Sequence, residues 1–190
     1  MNITIVIPTI EGREGLLARA LATVEAQTFP PSCVIVELDV GRQGAAATRN
    51  QALSKVDTDW LAFLDDDDEL YPNHLKVLAR YAKLSTLDVA YPGYDTTGGE
   101  DPVKCFGVPF DGALLQKRNF IPVTTLCRTS HVLQAGGFQP HPDENDDPCE
   151  DWGLWLAMHA AGSRFTHVPV RTWRWNLGDT TKGRPQRPVT

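Results

Sequence analysis

The sequence predicts one α/β domain: a mostly parallel central sheet flanked by helices. Apolar β-branched runs alternate with segments of helical periodicity from residue 3 onward. The first run is continuously β-branched, as in a strand buried on both faces. The runs end in proline or aspartate, and open α/β sheets hold their ligands beyond the C-terminal ends of their strands. A length of 190 residues with 42% hydrophobic composition suffices for one sizeable core.

"ITIVI" (3–7), ending at Pro8, is the first strand. "GLLARALATVEAQTF" follows with Leu17, Ala20, Leu21 and Val24 at helical spacing, and Pro30-Pro31 marks its stop. "CVIVELDV" (33–40) is the second strand, and "GRQGAAATRNQALSKV" passes from a glycine loop into an Ala-rich helix. "DWLAFL" (59–64) is the third strand, with Asp65–Asp68 directly behind it. This β-α-β-α-β order predicts a parallel, doubly wound sheet with right-handed crossovers. Pro8-Thr9, Asp39 and the aspartate run then share one edge.

"PNHLKVLARYAKL" (72–84) reads as a helix with proline in its first turn, and "LDVAYPGY" (87–94) as a further strand. Residues 95–122 carry no assignable period. "CEDWGLWLAMHAAG" (149–162) is a helix with acids in its first turn and Gly162 at its stop. Residues 177–190 form a basic, Pro/Gly-rich tail, either flexible or ordered by a ligand.

A net charge of −6 disfavours a sequence-independent nucleic-acid binder, which needs a basic face. Cys33, Cys105, Cys127 and Cys149 form no CxxC pair, so they read as free buried thiols in a reducing setting. The N-terminal stretch has no basic leader, and no segment approaches the roughly 18–20 apolar residues of a membrane span. Those features predict a cytoplasmic protein.

Four consecutive aspartates repel one another unless something cationic meets them. A solvated acidic turn is one reading. An EF-hand loop starting at Asp65 would need glycine and glutamate where Leu70 and Lys76 stand, so that reading fails. The third reading is a Mg²⁺ or Mn²⁺ site shared with a phosphorylated ligand, since such ions take one or two carboxylates and let phosphates complete the shell.

Together, "ITIVIPTIEGREGLLARALATVEAQTFP", "VIVELDVG", "GAAATRNQAL" and "WLAFLDDDDELYPNHL" resemble the nucleotide-sugar-binding half of a GT-A fold glycosyltransferase of family 2. "LCRTSHVLQAGGFQPHPDENDDPCEDWGLWLAMHAAG", with its Gly-Gly-Phe turn and Glu-Asp-Trp helix start, is similar to the family's acceptor side. The resemblance covers roughly residues 3–175 and implies one GT-A domain over 1–176, with a donor half at 1–94 and an acceptor half at 95–176.

That resemblance places the family's Asp-x-Asp motif on Asp65, Asp66 and Asp67, with Asp68 as a surplus residue that blurs the register. It implies Asp67 as direct metal ligand, and Asp65 as a contact to ribose or, through water, to the metal. It implies a nucleotide-sugar pocket of Pro8, Thr9, Glu11, Arg13, Asp39, Arg49, Asp65 and Asp66. Many members end the second strand in Asp-Asp-Gly-Ser, whereas here "ELDVG" has one aspartate. Glu11 and Arg13 also read as a solvated helix entry, Arg49 as a surface residue and Asn50 as a local cap.

Acids opening the 149–162 helix are favoured by its dipole without any catalysis. The resemblance implies more: Asp151 as general base of an inverting displacement, taking the proton of the acceptor hydroxyl. The helix N-terminus favours its ionised form and Glu150 opposes it. Glu150 and Trp152 are expected on the acceptor side. Trp152 and Trp155 pack in the core or present a face to sugar. His141 or Asp143 is a remote candidate for metal. Late in the chain, Trp173 and Arg174 match a family element whose histidine position holds Asn176, so a histidine ligand is not implied. Arg174, Lys182 and Arg184 are candidate diphosphate contacts, and a solvated basic tail is the other reading of the last two.

The expected activity is transfer from a nucleotide-diphosphate sugar, with Mn²⁺ or Mg²⁺, to a glycan, protein, lipid-linked or nucleobase hydroxyl, by a monomer or homodimer. One rival is a sugar-nucleotide nucleotidyltransferase, disfavoured because "PTIEGREG" lacks a basic Gly-rich phosphate loop. The other is a non-catalytic nucleotide-sugar or glycan-binding module on the same fold.

Overall fold

Ile3–Thr9 forms β1, and every residue in it is buried. It lies between β2 (Cys33–Leu38) and β3 (Trp60–Phe63), parallel to both. The helices α1 (Glu14–Glu25) and α2 (Ala45–Leu53) make the two crossovers. The computed structural model describes residues 1–84, 86–98, 107–139 and 149–177. After β3 come β4 (Glu69–Leu70), α3 (His74–Leu84) and β5 (Val89–Thr97). Then follow α4 (Gly112–Leu115), β6 (Leu126–Arg128), α5 (Thr129–Gln134), α6 (Glu150–Ala160) and β7 (Phe165–Asn176).

The strands make one seven-stranded sheet in the order β2-β1-β3-β6-β5-β7-β4. The parallel expectation holds for β1–β3 and for the β5–β7 pair. It fails at β6, which runs antiparallel to both β3 and β5, and at β4, antiparallel to β7. Strands of three and two residues are too short to show a period, which is why neither was legible.

Alternation along β1 sorts the core into two layers. Ile3, Ile5 and Ile7 face Ala20 and Val24 of α1 and Leu75, Leu78, Ala79 and Ala82 of α3. Val6 faces the other side, with Ala52 and Leu53 of α2, Val132 of α5 and Leu154, Trp155 and Met158 of α6. Leu17 and Leu21 of α1 pack on the first layer as their spacing predicts.

Three expectations need correction. The helix α1 stops at Glu25, well before Pro30, because Gln27 turns inward and braces Tyr71 O (2.8 Å) and Leu75 N (3.0 Å). Pro72 lies in the turn ahead of α3 rather than in its first turn. The thiols are not uniformly buried: Cys33 is exposed on the edge strand β2, Cys127 is buried and Cys149 is intermediate. No helix among the described residues is long and apolar enough to cross a membrane.

The Gly-Gly-Phe turn after α5 uses glycine's freedom. Gly136 (φ +83°) and Gly137 (φ +72°) both sit in the left-handed region. The turn delivers Phe138 edge-on to Phe63, with centroids 4.8 Å apart. Asn50 clamps it from α2, accepting from Phe138 N (2.9 Å) and donating to Phe138 O (2.8 Å). Asn50 is therefore no local cap; it ties α2 to the second half of the chain.

Candidate active site

At the end of β3 the chain turns tightly, and Asp68 N donates to Asp65 O (3.1 Å). The turn gives the four aspartates different surroundings. Asp66 is buried, taking Thr9 Oγ1 (2.6 Å), Arg13 Nε (2.9 Å) and Arg13 Nη2 (2.7 Å). Arg13 Nη2 also reaches Asp67 Oδ2 at 2.7 Å. Arg13 is buried, so the solvated-entry reading is wrong for it, while Glu11 is exposed. Asp66 is the anchor of the turn.

Asp65, Asp67 and Asp68 instead converge, with one carboxylate oxygen of each within 4.8 Å of the others. Asp68 is thus not surplus. It is buried and accepts from Asn176 N (3.0 Å) at the end of β7. Asn176 Nδ2 donates to Asp67 O (2.8 Å), and Arg19 Nη2 donates to the same carbonyl (2.9 Å). The Asp67 carbonyl can only accept, which fixes the orientation of that amide, and Thr97 Oγ1 donates to its oxygen, Asn176 Oδ1. Burial, and then Asp65, push the Asp67 carboxyl up to about 6, despite Arg13. Burial, Asp65 and Asp67 hold Asp68 well above the ordinary range. Three clustered carboxylate oxygen donors fit a hard divalent cation, which would relieve their repulsion.

A second cation joins this turn to the far half of the site. Arg49, buried on α2, donates through Nη2 to Asp65 Oδ1 and through Nη1 to Glu150 Oε1, each at 2.5 Å. Its guanidinium lies 5.3 Å from the centroid of Phe138, so the glycine turn also supports it. Arg49 is no surface residue.

Beside Glu150, Asp151 stands in the first turn of α6. Burial, and then Glu150, raise its carboxyl above the ordinary value, against the opposing pull of Arg49, the Cys149 thiol and Trp152 N. The expected contest between helix terminus and neighbouring carboxylate is won by burial and the neighbour.

Other expected residues fall as follows. Pro8 is buried within β1. Asp39 lies just past β2 and accepts from Gln43 N (2.8 Å) and Gly44 N (2.7 Å), shaping the loop into α2. Trp152 takes the core-packing reading: it is buried and its indole donates to Leu115 O (2.7 Å). Trp155 is likewise core, donating to Ile121 O (3.0 Å). Arg174 pairs with Glu69 (3.2 Å) and lies 5.6 Å from the Tyr71 ring centroid. His141, Asp143, Lys182, Arg184 and the tail from 178 lie outside the described residues.

The family model of "Glycosyl transferase family 2" matches residues 25–105, which include the acidic turn. The succinoglycan biosynthesis protein ExoW of Rhizobium meliloti is 33% identical over 180 residues, covering 80% of this chain and 52% of that protein. The chain belongs to glycosyl transferase family 2. A further relative of this family 2 chain is the pre-mycofactocin glycosyltransferase of Mycobacterium tuberculosis, 28% identical over 140 residues, 67% of this chain and 29% of that protein. The chain therefore spans about half the length of the first relative and under a third of the second.

Among solved structures, S. aureus TarS 1–349 in complex with UDP-GlcNAc superposes with a TM-score of 0.73 at 15% identity, covering 93% of this chain and 58% of that one. The mannosyltransferase PcManGT from Pyrobaculum calidifontis, in complex with GDP-Man and Mn²⁺, gives 0.69 at 14% identity, with 96% and 58% covered. The fold of this family 2 member is GT-A.

Sequence reasoning missed Asn119 and Cys149, which contact Asp151 directly, and Arg19 and Thr97, which brace the acidic turn. Asn119 and Thr97 sit in the stretch without periodicity. Asn176 stood out only as a departure from the family pattern.

Proposed function

We propose that this chain transfers a sugar from a nucleotide-diphosphate sugar to an acceptor hydroxyl with inversion at the anomeric carbon, Asp151 being the general base. One observation carries the reading: a single buried guanidinium, Arg49, bridges the clustered aspartates and the first turn of α6. The acids suited to a sugar diphosphate and the carboxylate suited to an acceptor proton thus stand on either side of one residue.

In this reading Thr9, Asp39 and Asp65, at three strand ends, border the nucleotide. Asp151 accepts the proton of the acceptor hydroxyl, whose oxygen attacks the anomeric carbon as the bond to the diphosphate oxygen breaks. Its proton affinity, raised by burial and then by Glu150, favours its acting as proton acceptor. A Mn²⁺ or Mg²⁺ ion held by Asp65 and Asp67, with Asp68 behind them, would offset the charge of the departing diphosphate. Arg13 keeps the turn closed, and Arg49 holds Asp65 and Glu150 at a set separation.

Thermal unfolding in the presence of UDP-, GDP-, CDP- and dTDP-sugars, with and without Mn²⁺, tests the donor side. A donor at about 100 times its dissociation constant stabilises by roughly 2.7 kcal/mol. The TarS and PcManGT complexes make UDP-GlcNAc and GDP-mannose the first to try. Absence of any metal-dependent shift refutes the donor site. Asp151→Asn should bind the donor and lose transfer; undiminished transfer refutes the base.

A further inference from the structure

We infer that Asn119 is the positioning residue that aims the Asp151 carboxylate, leaving Oδ2 as the oxygen that receives the acceptor proton. This rests on the reading of Asp151 as the base.

The geometry begins with the orientation of one amide. Ile121 N donates to Asn119 Oδ1 at 3.0 Å, and an N–H can be met only by the oxygen of that side chain. The Asn119 NH₂ group is therefore the one turned to Asp151, and Nδ2 lies 3.0 Å from Asp151 Oδ2. The other carboxylate oxygen, Oδ1, accepts from Trp152 N (2.9 Å) and from Cys149 Sγ (3.3 Å). Burial, and then Asp151 itself, push the Cys149 thiol up to about 12, so the sulfur keeps its proton and serves as donor. A carboxylate oxygen offers about two lone pairs. Among the described residues Oδ1 has both engaged, whereas Oδ2 has one taken by Asn119 and one open.

Asn119 is itself held. Leu115 O, before it, receives the Trp152 indole N–H, and Ile121 O, after it, receives that of Trp155. The segment between α4 and β6 is so fastened to α6 on both sides of the Asn119–Asp151 contact. Among the described residues, the charged or titratable groups facing this carboxylate are Glu150 and Cys149 beside it and Arg49 from α2.

The test uses the full chain labelled with ¹³C at aspartate carboxyls, the Asp151 resonance being the one lost in Asp151→Asn. Removing a donor from an ionised carboxylate favours its protonated form, so Asn119→Ala should raise the Asp151 midpoint by about one unit. Asn119→Asp keeps the shape and places a second carboxylate there, so it should raise the midpoint further. The acid limb of turnover, followed as UDP release from UDP-GlcNAc or GDP release from GDP-mannose with Mn²⁺, should move upward by the same amounts, with KM for the donor unchanged. An Asp151 midpoint unmoved in both variants overturns the proposal, and so does a moved midpoint with an unmoved acid limb. Undiminished turnover in Asp151→Asn removes the base reading itself, whereas an inactive Asp151→Asn with unmoved midpoints removes Asn119 alone.

Discussion

Arg13 and Asp66 form a buried bidentate pair 53 residues apart in sequence, with Nε 2.9 Å from Oδ2 and Nη2 2.7 Å from Oδ1. It pins the start of α1 to the end of β3, and it turns one of four repelling aspartates into an anchor for the rest.

Breaking a buried pair from one side strands the other charge, at a cost of about 3–5 kcal/mol. Arg13→Ala should lose that much on denaturant unfolding. Arg13→Lys should recover little, because an ammonium cannot reproduce the planar fork. Full stability in Arg13→Ala would mean the pair contributes nothing to the turn.

Asn176 seats the same turn from the other side, through Asp68 Oδ1 and the Asp67 carbonyl. Groups that orient metal ligands typically contribute about 10–100-fold in affinity. Mn²⁺ binding to Asn176→Ala, followed by electron paramagnetic resonance of the free ion, should weaken within that range. Equal affinity in variant and parent would detach Asn176 from the proposed metal site.

His74 is fully buried, its Nδ1 2.9 Å from Thr172 Oγ1, and burial lowers its pKa to about 3 from the ordinary 6.5. A base whose folded pKa is depressed contributes stability above its unfolded value and loses it as pH falls toward the folded one. The parent should therefore lose stability between pH 6.5 and about 3, by up to about 1.4 kcal/mol per unit from this group. Melting curves of His74→Asn across that window should fall less steeply; parallel curves would show that His74 does not titrate so.

A Cβ on Gly137 would lie 2.5 Å from Asn50 Oδ1, whereas one on Gly136 meets nothing within 4 Å. Both residues have positive φ, so either Gly→Ala change carries a backbone cost of about 1 kcal/mol. Gly137→Ala should destabilise distinctly more than Gly136→Ala by thermal melting, because it also displaces the Asn50 clamp on Phe138. Equal losses would leave only the backbone term.

Much of the N-terminal half of the fold was legible because its signals are local. The β-branched run of β1, the period of α1 and the placing of Asp65–Asp68 at a strand end need no distant partner. The individual duties of the aspartates were not legible. Asp66 answers to Arg13, 53 residues away, and Asp68 to Asn176, 108 residues away. Trp152 illustrates the same limit: an indole beside two acids reads equally as a sugar platform or a core residue until Leu115 O is found against it. Asn119 gave no signal, since its neighbours follow neither strand nor helix spacing.

The pairing of β7 with β4 has a consequence for the order in which the site comes into being. A nascent chain presents its four aspartates early, but Asn176, which seats two of them, leaves the ribosome 108 residues after Asp68. Until that strand arrives, nothing from β7 opposes the mutual repulsion of the acids. Assembly of the acidic turn is therefore a late event in biogenesis, and an incomplete polypeptide emerges with the aspartates of the proposed metal site still unseated.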